Sequence, residues 1–522
     1  MYAEDSYKEP FWAENKGFMT GRDPLGVQNS SIATYSRLLP GMTNVTLRLR
    51  YYGFYMWLLQ EYDALSKSDS ENSLSFFLSF IRRAELAIAY LMVNKYPNEK
   101  SIVGSDYASN HIQSADEQGY YDLAKGADKN KDTKKGSVYW DYTSGALGQY
   151  FIGSFVNLKL VEVSNRFFVI SERGRNLAKA YGEGIPEKSK NALLEVIETG
   201  QMNRQQMDQL IEFSINRINF DSLEWRFYKE MILSDDGINN SLGELQYQRQ
   251  ETIKRYLEYL DSPKLREQGL TFDQVQYLLF QEKKVNDASF GWYYYRVNEL
   301  FHYALETVFW GLLVELDGRI VDIREFMESM TKAVLKYSLE DFLKKENVAV
   351  QEIVEEEFSS NLMDDQNLME DLVKAGNSNQ KAIALALKQI LGIYKENKYN
   401  MDSLLGYEKA NYLTDKKGRV SDIVNNYIIS NQELPYDKFI YATIKNLIND
   451  HISTAYRKMG NGESNLLKFV IEDNFITHIQ TMPPKFTSPR LRTLDNFLSD
   501  LHLKDGAELT EAGKDLLLEL IN

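Results

Sequence analysis

VISERGRNLAKAY (residues 169–181) and ELTEAGKDLLLEL (residues 508–520) are the stretches on which the reading of this chain turns. Both run apolar, Ser or Thr, Glu, any residue, Gly, basic, polar, Leu. The hydroxyl residue, Ser171 or Thr510, is of the type that caps a helix by accepting from its free N–H groups. The apolar residue before it reads as the end of a strand. Upstream of the first copy, LKLVEVSNRFFVI (158–170) parses as a strand near 160–163, a turn at 164–166 and a strand over 167–170. Before that, GALGQYFIGSFVNL (145–158) reads as a helix. The second copy keeps the order. SPRLRTLDNFLSDL (488–501) is predicted as a helix with Ser488 at the cap and Pro489 at the first helical position. LHL, KDG and AEL then form a minimal hairpin.

Helix, hairpin, capped helix is similar to the way winged helix-turn-helix domains end, and each copy carries the resemblance over about 35 residues. The resemblance implies contact either with duplex DNA or with another protein. For DNA, phosphate-holding cations would be Arg166 at the hairpin tip with Arg173 and Arg175 in the next helix. In the second copy they would be Lys485, Arg490 and Arg492 of PPKFTSPRLR, ten residues without an acid. The alternative is that these are ordinary solvent-facing cations on small folding units.

Around these modules the chain reads as mainly α. Ten prolines in 522 residues leave room for long helices. Apolar residues recur at three- and four-residue steps over 73–93, 243–260, 320–337 and 380–397. The length suggests roughly three domains: 1–185, helical and ending in the first module; 186–460, helical; and 461–522, the second module. Hydrophobics at 43% and aromatics at 13% describe a folded chain. A net charge of -15 argues against coating nucleic acid with the whole surface and leaves local basic patches open. KGADKNKDTKKG (125–136) reads as an exposed, flexible loop. Asp128, Asn130 and Asp132 start a calcium-loop spacing there, but Thr133 and Tyr139 stand where Gly and Glu are needed and lysines oppose a cation. The acid-rich 351–371 reads as a solvated helix face with a connector, ahead of the alternative of an acidic docking segment.

LLPGMTNVTLRLRYYGFYMWLL (38–59) should hold a helix capped by Thr43 or Asn44, apolar on most sides and therefore buried. Arg48 and Arg50 in its first turns oppose the helix dipole and call for something negative, an internal carboxylate ahead of a bound phosphate. DPLG (23–26), LLPG (38–41) and the stretch that follows also resemble the start of uncharacterised bacterial proteins of antiviral defence gene clusters, over about the first 60 residues.

Chemistry is sparse. Cysteine is absent, which excludes disulfides, thiolate metal sites and cysteine nucleophiles and fits a reducing cytoplasm. No Walker loop, G-x-G-x-x-G or H-E-x-x-H is present, and His111, His302, His451, His478 and His502 show no metal-ligand spacing. No metal and no cofactor are therefore expected. The start shows no signal peptide, and the most apolar stretch, 300–316, is short for a span and carries acids, so no membrane is expected.

One constellation remains. YYYRVNELFHYALETVFW (293–310) places Arg296 and His302 six residues apart, with Asn298 one turn before the histidine. This resembles the R-x(4–6)-H motif of HEPN-type helical ribonucleases, in which arginine would hold the scissile phosphate and histidine would move a proton. Val297 departs from that family's polar residue. The other reading is a core helix with both side chains in structural contacts. The sequence thus points to a non-enzymatic adaptor or nucleic-acid-associated subunit of a bacterial cytosolic complex, in the setting of antiviral defence. A protein partner such as an ATPase or helicase is expected, since the chain shows no nucleotide site of its own. The alternative is the helical ribonuclease.

Overall fold

The computed structural model describes residues 23–66, 74–116, 119–164, 167–234, 248–280, 288–356, 361–376, 378–411, 413–460 and 466–521. The fold is mainly α, with short strands in small antiparallel sheets. No helix among the described residues is long and apolar enough to cross a membrane. The chain divides into two compact units, Met1–Tyr35 with Asp273–Thr487, and Ser36–Phe272 with Ser488–Asn522. Both draw on separated stretches, where the sequence suggests the consecutive blocks 1–185, 186–460 and 461–522. Of the block 461–522, the helix–hairpin–helix part from Ser488 therefore shares a unit with the first module, whereas the stretch up to Thr487, with Lys485, belongs to the other unit.

In the unit containing both modules, the helix Arg50–Ser66 is the centre. Every residue from Tyr51 to Leu59 is buried, as an all-round apolar helix requires. The Tyr52 ring meets Phe155 edge-on at 5.2 Å and Phe497 at 5.7 Å, one from each module. This helix begins later than Thr43 or Asn44. Thr43 Oγ1 instead accepts from the amides of Val45 (3.3 Å) and Thr46 (3.1 Å), closing a turn that precedes the helix. Both arginines find internal acids: Arg48 pairs with Asp500 at 2.9 Å and with Glu99, and Arg50 with Glu224 at 3.0 Å.

The other unit is built around Ala288–Leu316, a helix of 29 residues buried continuously from Phe290 to Leu313. Asn379–Asn397, Ile323–Asp341 and Tyr436–Gly460 contribute to its core. Residues 320–322 belong to a strand, not to the helix predicted over 320–337. Ile320–Asp322 pairs with Phe475–His478, which pairs in turn with Phe469–Glu472. Asp322 then caps the helix by accepting from the amides of Arg324 (2.9 Å) and Glu325 (3.2 Å).

Candidate functional site

The two modules are built on one set of backbone bonds. In the first, the helix Ile152–Asn157 ends as the Lys159 amide bonds to Val156 O (3.0 Å) and the Leu160 amide to Phe155 O (2.9 Å), with Lys159 at φ +52°. The hairpin pairs Val161–Ser164 with Phe167–Ile170. Ser171 then donates its amide to Leu160 O (3.0 Å) and its hydroxyl to Lys159 O (2.6 Å), and accepts from the Gly174 amide (3.0 Å). The second module repeats this with other side chains. Leu491–Asp500 ends as the His502 amide bonds to Ser499 O (2.9 Å) and the Leu503 amide to Leu498 O (2.9 Å), with His502 at φ +56°. After the two-pair hairpin Lys504–Asp505 and Glu508–Leu509, Thr510 donates its amide to Leu503 O (3.1 Å) and its hydroxyl to His502 O (2.7 Å), and accepts from the Gly513 amide (3.2 Å). A Cβ on Gly174 would run into Leu160 O, and one on Gly513 into Leu503 O. The glycine common to both sequences is thus where the capped helix crosses the strand-entry carbonyl.

Ser488 and Pro489 do not begin the second module's first helix. Arg490 precedes it at φ +63° without a side-chain cap, and Ser488 O accepts from Asn44 Nδ2 at 2.7 Å. That left-handed residue bends the chain just ahead of Leu491, so Ser488 cannot face the free amides.

The predicted cations differ in their surroundings. Arg173 Nη2 donates to Ser234 Oγ at 2.7 Å, and Arg175 Nη1 to Ile170 O at 2.9 Å. Arg490 donates to Leu39 O (3.2 Å) and Ser36 Oγ (2.8 Å). Arg492 and Lys485 are exposed. Arg166 lies outside the described residues. Beside the second module, a groove of about 520 Å³ runs between the helices Leu223–Leu233 and Glu511–Ile521. Trp225, Leu233 and Leu520 line it together with the pairs Asp221–Arg226 (2.8 Å) and Lys229–Glu519 (2.8 Å). Nothing local in the sequence connects the helix at 223–233 with 511–521, so the groove is not legible there.

Arg296, Asn298 and His302 all lie on the core helix in the interior, each with its own partners. His302 is 0% exposed, with Nδ1 3.3 Å from Glu299 Oε1 and Nε2 3.0 Å from Glu306 Oε1; Gln28 Nε2 closes on it at 3.2 Å. Burial alone would lower its pKa, but the Glu306 and Glu299 carboxylates outweigh burial and hold it well above the ordinary value of 6.5. Asn298 accepts from Ser31 Oγ (2.5 Å) and donates to Gly418 O (2.7 Å). Arg296 pairs with Asp273 at 3.2 Å and lies over the Phe486 ring at 5.4 Å. Glu299 and Glu306, which the motif does not include, organise the cluster. Their i, i+3 and i, i+4 spacing to His302 is the signal that could have found them.

Comparison with protein-family models, curated proteins and solved structures finds no match for this chain.

Proposed function

We propose that this chain is a non-enzymatic adaptor subunit of a bacterial cytosolic complex serving antiviral defence, and that its winged-helix-like modules dock protein rather than read duplex DNA. The observation that carries this reading is the engagement of Arg173 and Arg490 by protein oxygens, with exposed Arg175 bonded to Ile170 O, together with an open groove lined by paired charges. A helix that reads DNA needs its cations free for phosphates. A groove that sets Trp225, Leu233 and Leu520 among charged side chains suits a peptide segment of a partner such as an ATPase or helicase.

The ribonuclease reading is weaker. A proton-moving histidine must reach the substrate, and His302 is enclosed between two carboxylates.

Crosslinking mass spectrometry on full-length protein in bacterial lysate tests the adaptor reading. Crosslinks from one partner to Lys229 and Lys514, lost on Leu520→Arg, support it. Absence of any such partner, together with duplex binding whose salt slope falls by about 1 on Arg492→Glu, would replace it with DNA reading.

A further inference from the structure

The lysine-rich stretch 125–136 is held from beneath. Arg82, 1% exposed, donates to the carbonyls of Trp140 (2.9 Å), Tyr142 (2.7 Å) and Ala127. Its neighbour Arg83 pairs with Asp128 at 2.6 Å. One turn on, Glu85 accepts from the Tyr139 hydroxyl and from the amides of Ala146 (3.1 Å) and Leu147 (3.0 Å). Within the loop, Asn130 Oδ1 accepts from the Asp132 amide at 2.9 Å. The Gly136 amide reaches Asp141 Oδ1 at 2.8 Å and Lys129 Nζ bonds to Asp141 O, folding 129–136 back onto 140–142.

This anchoring presents Lys131, Lys134 and Lys135, all exposed and without an ion pair among the described residues. Arg83 neutralises Asp128, one of the two acids in the stretch. Beside them Tyr142 is 52% exposed, and half-buried Trp140 stands edge-on to Tyr150 at 5.4 Å. We propose that this loop is a binding surface for single-stranded nucleic acid, with the ammonium groups on backbone phosphates and the Tyr142 ring under a base. Cations alone would suit any polyanion, but an adjacent exposed aromatic face favours unpaired bases, whose faces are free to stack. A chain of net charge -15 must confine such binding to a local patch, and here the patch is built on a fixed backbone. The site uses neither module and stands or falls apart from the adaptor reading.

Fluorescence anisotropy of full-length protein with a labelled oligothymidylate of about 20 nucleotides tests it, against a duplex of equal length and phosphatidylserine vesicles. The triple variant Lys131→Glu, Lys134→Glu, Lys135→Glu should weaken binding at least about tenfold and reduce the salt slope by about 2. Tyr142→Ala should weaken it by roughly 5- to 100-fold with the slope unchanged. Thermal melting should be unmoved in both variants, since these side chains are exposed. No single-strand binding at low salt, equal binding by the triple variant, or a preference for duplex or vesicles would overturn the proposal.

Discussion

Glu306 faces His302 Nε2 at 3.0 Å with one carboxylate oxygen and takes the Lys485 amide at 3.1 Å with the other. Glu299 repeats the arrangement, with His302 Nδ1 at 3.3 Å and the Thr487 amide at 2.7 Å. Between these two bonds, Phe486 stacks on Tyr303 at 4.4 Å. One imidazolium thus orients two carboxylates that pin residues 485–487 along the core helix. His302→Ala leaves both carboxylates buried without their cation, and should cost about 3–5 kcal/mol in urea unfolding. Amide exchange at Lys485 and Thr487 should accelerate in the variant. Because the folded pKa of His302 is raised, its contribution is complete below 6.5 and is lost as pH rises through the folded value. Wild-type exchange at those amides should therefore lose protection on the alkaline side.

His451 titrates in the opposite sense. Its Nδ1–H donates to Pro24 O at 2.9 Å and its Nε2 accepts from the Lys468 amide at 2.9 Å, which selects one neutral tautomer. Burial, with Lys468 and Lys458 adding to it, pushes the pKa down to about 4 against the pull of the Pro24 bond. The stability it contributes is present above 6.5 and is lost as pH falls towards 4, by about 3 kcal/mol in all. Thermal melting between neutral and acidic pH should show this loss, and His451→Gln should flatten that part of the profile.

Asp500 takes up its proton at higher pH than an ordinary aspartate. Burial pushes its pKa up to about 6 despite Arg48 at 2.9 Å and the Leu49 amide at 2.9 Å. The protonated form's contribution is complete below 3.8 and is lost as pH rises through about 6, again by about 3 kcal/mol. Asp500→Asn should remove this slope and keep or raise stability at neutral pH. Asp500→Ala, which abandons Arg48 and the amide, should lower it.

Glycine replacements separate packing from propensity. Gly174→Ala and Gly513→Ala would force a methyl onto the Leu160 and Leu503 carbonyls, and each should destabilise by about 1–3 kcal/mol. Gly153 sits in the helix Ile152–Asn157, where an added Cβ would meet nothing within 4 Å, so Gly153→Ala should stabilise by about 0.5–1 kcal/mol. Chemical denaturation of the three variants, compared by sign, checks the shared crossing.

Where one apolar face and one helix coincide, the sequence placed elements closely. The helix read at 73–93 spans Leu74–Lys95, and that at 380–397 spans Asn379–Asn397. The hairpin at 160–170 and both hydroxyl caps stand where their turn and cap chemistry puts them. Errors arose where a distant partner or a competing local turn intervened. Ile320–Asp322 left its helix to pair with Phe475–His478, and Thr43 closed a turn instead of a helix. At the candidate site the glycine and hydroxyl positions were legible, whereas the engagement of Arg173 by Ser234 and of Arg490 by Leu39 and Ser36 was not.

By itself, the amino-acid order determined a mainly helical chain with two helix–hairpin–helix modules, because caps, turns and apolar spacing act over a few neighbouring residues. It also called for a negative group, a carboxylate ahead of a phosphate, to offset Arg48 and Arg50 near a helix start. Only the tertiary structure decided that Asp500, Glu99 and Glu224 supply them, that both modules close on Tyr52, and that His302 lies enclosed between Glu299 and Glu306. Those pairings depend on which surfaces meet when distant segments collapse together, and many carboxylates satisfy the local rules equally well.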